Sequence, residues 1–178
     1  MEEITIVNEK NEVVGSAPRI EVHRRGLWHR VVVIMVTNSA GELFIQKRNA
    51  DADTCPNMWD HSAAGHVDKD EEPDIAAKRE LFEELGIQGK PLKFITIYKT
   101  ESQEGEKFLR RFWYLYICKF DGEMKLQKEE VQDGKFVTIE WLQKELQFDP
   151  EIYTTGLRKS LEEYLQRQSI DDSVSSPE

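Results

Sequence analysis

Only two cysteines, Cys55 and Cys118, occur in the 178 residues. They are too few and too far apart for a disulfide framework or a cysteine-ligated zinc site, so a reducing interior is the simpler home. No apolar run approaches membrane-spanning length, and the opening MEEITIVNEK lacks the basic and apolar segments of an export signal. A cytoplasmic location is the expectation. Positive charge is also scarce, with 24 lysines and arginines against 34 aspartates and glutamates and a formal net charge of −10. Non-specific binding to nucleic acid or to an anionic membrane needs a basic surface that displaces counterions, so neither partner is expected. Small polyanions stay open, held through metal ions or local arginines. No internal repeat is visible.

The remainder is ordinary for a soluble globular protein, with 39% hydrophobic and 33% charged residues, and the length suffices for one domain with a sizeable core. That domain is taken as residues 1–168, and the polar SIDDSVSSPE at 169–178 is expected to be a disordered tail. Residues 3–16 read as a β-hairpin, with Ile4 and Ile6 on one strand and Val13 and Val14 on the other. APRIEVHRRGLWHR gathers His23, Arg24, Arg25, His29 and Arg30 around Trp28, either an anion-holding cluster or a solvated connection with one packed tryptophan. VVVIMV at 31–36 should be a buried strand, and ELFIQKR, after the turn NSAG, a second strand forming a core hairpin with it. Lys47 and Arg48 end that strand as candidate phosphate contacts or as routine surface charge. The polar connection NADADTCPNMWDHSAAGH is long enough to be functional.

Further on, LKFITIYKT and FLRRFWYLYICKF read as long strands joined by ESQEGEK. Phe112, Trp113, Tyr114 and Tyr116 there are core and cross-strand packing or the lining of a cleft. FVTIEWLQKEL reads as a short strand running into a helix, and a last helix is expected over about 150–167.

The densest chemistry lies at 65–87, GHVDKDEEPDIAAKRELFEELGI. Pro73 suits a first helical position, Asp74 the positive end of a helix and Gly86 a stop, which places a helix over 73–85. At about 100° per residue, Glu80, Glu83 and Glu84 fall within one arc, with Ile75, Leu81, Phe82 and Leu85 on the other side. Ala76 and Ala77, one turn earlier on the acidic face, would leave room for a bulky ligand. Like charges at these spacings repel, and hard oxygen ligands suit Mg²⁺ or Mn²⁺. An ordinary solvated helix face is the better reading of three acids taken alone.

The full spacing reverses that choice. Gly65, five residues, Glu71, seven residues, Arg79-Glu80-Leu81, one residue, Glu83-Glu84, one residue and Gly86-Ile87 resembles the signature of the Nudix hydrolases at every fixed position. The resemblance implies an α+β fold, a mixed α/β/α sandwich with the signature helix on a central sheet, and the N-terminal hairpin read above is expected to be an appendage to that sheet. It implies Glu83 and Glu84 as principal ligands of Mg²⁺ or Mn²⁺, Glu80 as a further ligand or water orienter, and the Ala64 carbonyl as another ligand. Arg79 and Glu71 resemble the pair that braces loop against helix. A glutamate outside the signature often acts as base, here Glu129 or Glu130, with Glu130 taken forward. Homodimers are frequent in the family, so a homodimer is one expected assembly.

The flanks, over about residues 1–90, resemble the branch related to isopentenyl diphosphate isomerase, through EVHRRGLWHR, the strand end QKR and MWDHSAAGH. By position His66, His23 and His29 resemble isomerase metal ligands, so they are candidates for additional metal or phosphate binding. The isomerases place a proton-transferring cysteine where this chain has Ala64, and they lack the intact glutamate-rich signature. The expected activity is therefore metal-dependent hydrolysis of a small-molecule diphosphate, a nucleoside diphosphate derivative or a relative. An isopentenyl diphosphate isomerase and a non-catalytic nucleotide-binding module are the alternatives.

Overall fold

The run at 31–36 forms the middle of the molecule. A computed structural model describes residues 3–52 and 54–174, and the last four positions of the expected tail, 175–178, lie outside the described residues. In chain order the elements are β1 (Glu3–Val7), β2 (Val13–Pro18), α1 (Arg19–Arg25), β3 (Trp28–Thr37), β4 (Leu43–Arg48), β5 (Trp59–Asp60), β6 (Ala63–His66) and α2 (Pro73–Leu85). There follow β7 (Lys93–Glu104), β8 (Lys107–Lys119), β9 (Val131–Val137), α3 (Ile139–Phe148), a 3₁₀ turn (Pro150–Ile152) and α4 (Thr155–Val174).

Strand β3 is the axis of a nine-stranded mixed sheet. Along one edge it runs parallel to β8, from Trp28↔Arg110 to Thr37↔Lys119. Its other edge is shared by three strands: β1 at Ile6↔His29, β6 from Val31↔His66 to Ile34↔Ala63, and β4 at Thr37↔Leu43. The expected β3–β4 core hairpin therefore reduces to one register pair, because β6 fills the place beside β3. Strand β4 pairs with β9 and β5 instead.

Successive residues of a strand point to opposite faces. Val31, Val33 and Met35 meet Leu43, Ile45, Trp113, Leu142, Leu157 and Leu161, the layer under α3 and α4. Val32, Ile34 and Val36 meet Phe44, Ala76, Ala77, Leu81 and Leu85, the layer under α2. A sheet covered on both faces explains why this strand reads as continuous apolar sequence, and the result is an α/β/α sandwich of α+β class.

Other boundaries moved for local reasons. Strands β7 and β8 extend through most of ESQEGEK to a turn at Gly105, whose φ of 61° needs a glycine. The last helix starts at Thr155, where the Thr154 hydroxyl accepts from the Leu157 N–H, and it runs to Val174, past the expected end at Arg167. Phe112, Trp113 and Tyr116 are buried, as core packing requires. Among the described residues no helix is long and apolar enough to cross a membrane.

Candidate metal and phosphate site

Helix α2 starts with Pro73 at its first turn and stops at Gly86, with φ of 69°, from which the N–H reaches back to the Phe82 carbonyl at 2.8 Å. Its buried stripe is not the expected one. Ala76, Ala77, Leu81 and Leu85 face the sheet together with Glu80 and Glu84, while Ile75 and Phe82, expected inside, are each 51% exposed. The alanines leave room for the sheet, not for a ligand: both are fully buried in the layer under the helix. Helix and β6 approach so closely that a Cβ on Gly65 would lie 1.9 Å from Glu80 Oε1. That contact explains why a glycine stands there.

The close approach tucks two carboxylates under the helix. Glu84, 2% exposed, accepts from the Ala64 N–H at 3.1 Å through Oε1 and from Gln46 Nε2 at 2.6 Å through Oε2. Burial, then the neighbouring Glu80, push its carboxyl well above the usual range, against the pull of those two donors. Glu80 is pushed up to about 7, first by burial and further by Glu83 and Glu130, although Arg79 opposes the shift. Glu83, with half its side chain exposed, looks outward.

Arg79 ties the cluster together. Its guanidinium donates to Glu71 Oε1 and Oε2 at 3.0 and 2.9 Å, to Glu80 Oε1 at 2.7 Å, to Glu83 Oε2 at 3.2 Å and to the His66 carbonyl at 3.0 Å. Glu71 in turn accepts from the Asp68 N–H. Arg79 and Glu71 thus brace the loop before α2 against the helix, and with five donors engaged Arg79 is a positioning residue.

Glu80 and Glu83 open onto a cavity of about 360 Å³. Ala64, Gly65 and His66 of β6 line it, as do Arg79, Asp68, Val31 and Glu130 from the connection before β9. Glu130 is close enough to raise both Glu80 and Glu84, so the chain returns a fourth acid to the cluster; Glu129 does not line the cavity. Lys47 and Arg48 do not line it either. Arg48 is committed to the Thr54 carbonyl at 2.9 Å and to Asp60 at 3.1 Å.

Cations at the cavity come instead from Arg19 of α1 and Arg111 of β8, together with Trp113 and the pair Asp60 and His61. Sequence reasoning missed Arg19 and Arg111. The available signal was register: Arg19 precedes His23 by one helical turn, and Arg111 is the β8 partner of His29. Asp60 and His61 belong to a buried support: His61 Nε2 lies 2.7 Å from Ser160 Oγ, Tyr98 Oη 2.5 Å from the same oxygen, and Thr154 donates to Asp60 at 2.6 Å. This network ties α4 to the cavity wall.

The structure brings His23, His29 and His66 together, with one ring nitrogen of each within 4.8 Å of the others. His23 Nε2 and His66 Nε2 are 3.3 Å apart, and His29 Nδ1 lies 3.0 Å from the Leu27 carbonyl. Burial depresses His29 to about 3 and lowers His66 strongly, with Arg19 and Arg111 adding to both shifts. The His29 and His66 rings are therefore neutral at physiological pH.

The acids fit a hard divalent cation. Four carboxylates meet, with Arg79 paired to Glu80 and Glu83, and burial first and the neighbouring acids second raise Glu80 and Glu84, so a cation brought to these oxygens would relieve an ionisation that the site disfavours. Glu80, Glu83 and Glu84, with the backbone at Ala64, are the groups that would hold it.

A model described as the NUDIX domain matches residues 27–156. The chain is 38% identical over 148 residues to the uncharacterized Nudix hydrolase lmo0368 of Listeria monocytogenes, covering 80% of this chain and 83% of that protein. It is 30% identical over 161 residues to the isopentenyl-diphosphate Delta-isomerase 2 of Photorhabdus laumondii, covering 89% and 90%. The crystal structure of DR0079 from Deinococcus radiodurans has a TM-score of 0.78 to this fold at 26% identity, covering 92% of this chain and 99% of that one.

Proposed function

The chain belongs to the NUDIX domain family and is a Nudix hydrolase, and we propose that it cleaves, with a bound divalent cation, the diphosphate linkage of a nucleoside diphosphate derivative or a related small diphosphate. One observation carries the reading: Glu80 and Glu83 from the helix and Glu130 from a distant connection face a single cavity, with Glu84 buried directly beneath. When bound to these oxygens, Mg²⁺ or Mn²⁺ supplies charge neutralisation at the phosphates and a lowered pKa for water.

The chain's own residues divide the remaining work. Glu130 takes the proton from the attacking water, whose oxygen bonds to phosphorus as the bridging P–O bond breaks and the leaving phosphate keeps the electron pair. Arg79 holds Glu80 and Glu83 in place through Glu71. The net charge of −10 keeps small polyanions, rather than nucleic acid or anionic membrane, as the partners, in the cytoplasmic setting that a chain with only two cysteines suits.

The isomerase alternative weakens on one point. Its alkene chemistry needs a proton donor where Ala64 stands, and neither Cys55 nor Cys118 lines the cavity. The histidine cluster favours a second reading, in which the imidazoles of His23, His29 and His66 hold an additional metal ion next to the acid site. The test is phosphate and nucleotide release from a panel of nucleoside diphosphates, triphosphates, dinucleotides, sugar nucleotides and coenzyme A, with Mg²⁺ and with excess chelator. Turnover only with metal supports the proposal, and full turnover in chelator ends it.

A further inference from the structure

We infer that Asn49 is a positioning residue for Glu130, pinning the turn that carries this acid to the end of β4 while the same turn is fastened to the end of α2. The inference rests on the hydrolase reading and deepens it.

Glu130 is exposed, so its backbone sets its place at the cavity. The connection from β8 to β9 first passes the end of α2, where the Lys125 N–H donates to the Leu85 carbonyl at 2.9 Å and the Gln127 N–H to the Glu84 carbonyl at 3.0 Å. Those are carbonyls that a helix end leaves free. The Gln127 carbonyl then accepts from the N–H groups of Glu130 and Val131, at 3.0 and 2.8 Å, which closes a turn. One flank of that turn is thereby tied to the backbone of Glu84.

The other flank is held by Asn49. Strand β4 ends at Arg48, which faces Val131 beyond a shift in register. The next residue, Asn49, gives its N–H to the Glu130 carbonyl at 2.9 Å and its side-chain Nδ2 to the Lys128 carbonyl at 2.8 Å. Its Oδ1 accepts from the Asp51 N–H at 3.2 Å, so the amide uses its oxygen for its own turn and its nitrogen for the one opposite. The anchor is itself braced, because the neighbouring Arg48 is bound to the Thr54 carbonyl and to Asp60 in the cavity wall.

Glu130 therefore reaches the cavity from a segment gripped at Gln127 by α2 and at Lys128 and Glu130 by Asn49. A carboxylate that takes a proton from water must stay within hydrogen-bond reach of it. A misplacement of about 1 Å can cost about a hundredfold in rate. Losing the side-chain grip leaves the backbone bond in place, so the turn loosens without detaching and a smaller loss, about tenfold, is expected.

The test uses Asn49→Ser, which keeps an oxygen for the Asp51 N–H but is too short to reach the Lys128 carbonyl, together with Glu130→Gln and the double variant. In metal-free protein the Glu130 and Val131 amides should exchange with deuterium about tenfold faster in Asn49→Ser than in wild type, with the amides of Glu83 and Glu84 unchanged. With Mg²⁺ and the panel diphosphate of highest turnover, kcat should fall about tenfold while KM and Mn²⁺ affinity stay within about twofold, and the double variant should be no slower than Glu130→Gln. Asn49→Asp, which also keeps the acceptor and loses the donor, serves if the serine variant melts early. Unchanged exchange, unchanged kcat beside a slow Glu130→Gln, or a further tenfold loss in the double variant each overturns the inference. Faster exchange with full turnover of Glu130→Gln, or with no turnover in wild type, would instead count against the hydrolase reading of Glu130 and leave the pin standing.

Discussion

Replacing Glu80 by glutamine should make the metal-free protein more stable as pH rises, relative to wild type. Burial, Glu83 and Glu130 raise the Glu80 carboxyl from 4.5 to about 7. A folded-state pKa above the unfolded one means the folded chain holds the proton more tightly, so the stabilisation is complete below about pH 4.5 and is lost as pH rises through 7. With about 1.4 kcal/mol per pKa unit, the loss grows by about 2 kcal/mol between pH 5.5 and pH 8. Glutamine stays neutral and keeps an oxygen that accepts from Arg79, so it escapes this loss. His29, depressed to about 3, acts oppositely below pH 6.5, which is why the difference between the two proteins is the informative quantity. The assay is urea unfolding in chelator at pH 5.5 and pH 8, followed by the fluorescence of the four tryptophans. Excess Mg²⁺ at a hundredfold over Kd should then stabilise wild type by about 2.7 kcal/mol and Glu80→Gln by clearly less. If the variant instead loses ground between pH 5.5 and pH 8 in chelator, Glu80 is held chiefly as a partner of Arg79, and the reasoning fails.

Glu84→Gln should abolish nearly all hydrolysis yet melt no lower than wild type in chelator, because the Gln46 amide can turn its oxygen, which has no partner now, toward the new amide group; a marked drop in melting temperature would make Glu84 a structural partner. Arg79→Ala should weaken Mn²⁺ binding even without substrate, since Glu80, Glu83 and Glu71 lose their common brace, and unchanged affinity measured by calorimetry would point to a direct phosphate contact instead. Gly65→Ala places a Cβ 1.9 Å from Glu80 Oε1 and must displace that carboxylate, so kcat should fall by about a hundredfold in a steady-state assay, and near-normal turnover would show that Glu80 has freedom this packing denies. Isopentenyl diphosphate should not be isomerised, as Ala64 has no proton to give, and solvent deuterium entering that compound at enzyme-like rates would contradict this.

The signature made the helix, its caps and its acids legible, because capping residues and fixed spacings are local properties of a chain. The orientation of that helix was not legible. Periodicity places Leu81 and Leu85 on one side and the glutamates on another, but α2 lies over Ala76 and Ala77 against Gly65, which draws Glu80 and Glu84 inward and leaves Ile75 and Phe82 outside. Such packing depends on residues of another strand. The same applies to β3, whose buried character is plain in VVVIMV but whose neighbours are not: the parallel pairing with β8 joins residues about eighty positions apart. Arg111 went unread for that reason, being set beside His29 by register and not by sequence. The histidines were named from resemblance, and their meeting within 4.8 Å required the β3–β6 pairing together with the placement of α1.

Hydrolysis is proposed to depend on a divalent cation held by Glu80, Glu83 and Glu84. The most direct measurement is a titration of metal-free protein with Mn²⁺, without substrate, read by electron paramagnetic resonance for wild type and for the triple variant Glu80→Gln, Glu83→Gln, Glu84→Gln. Wild type should bind the ion, and the triple variant, still folded, should bind at least about a hundredfold more weakly. Equal affinity in the two proteins would show that these glutamates do not hold the ion.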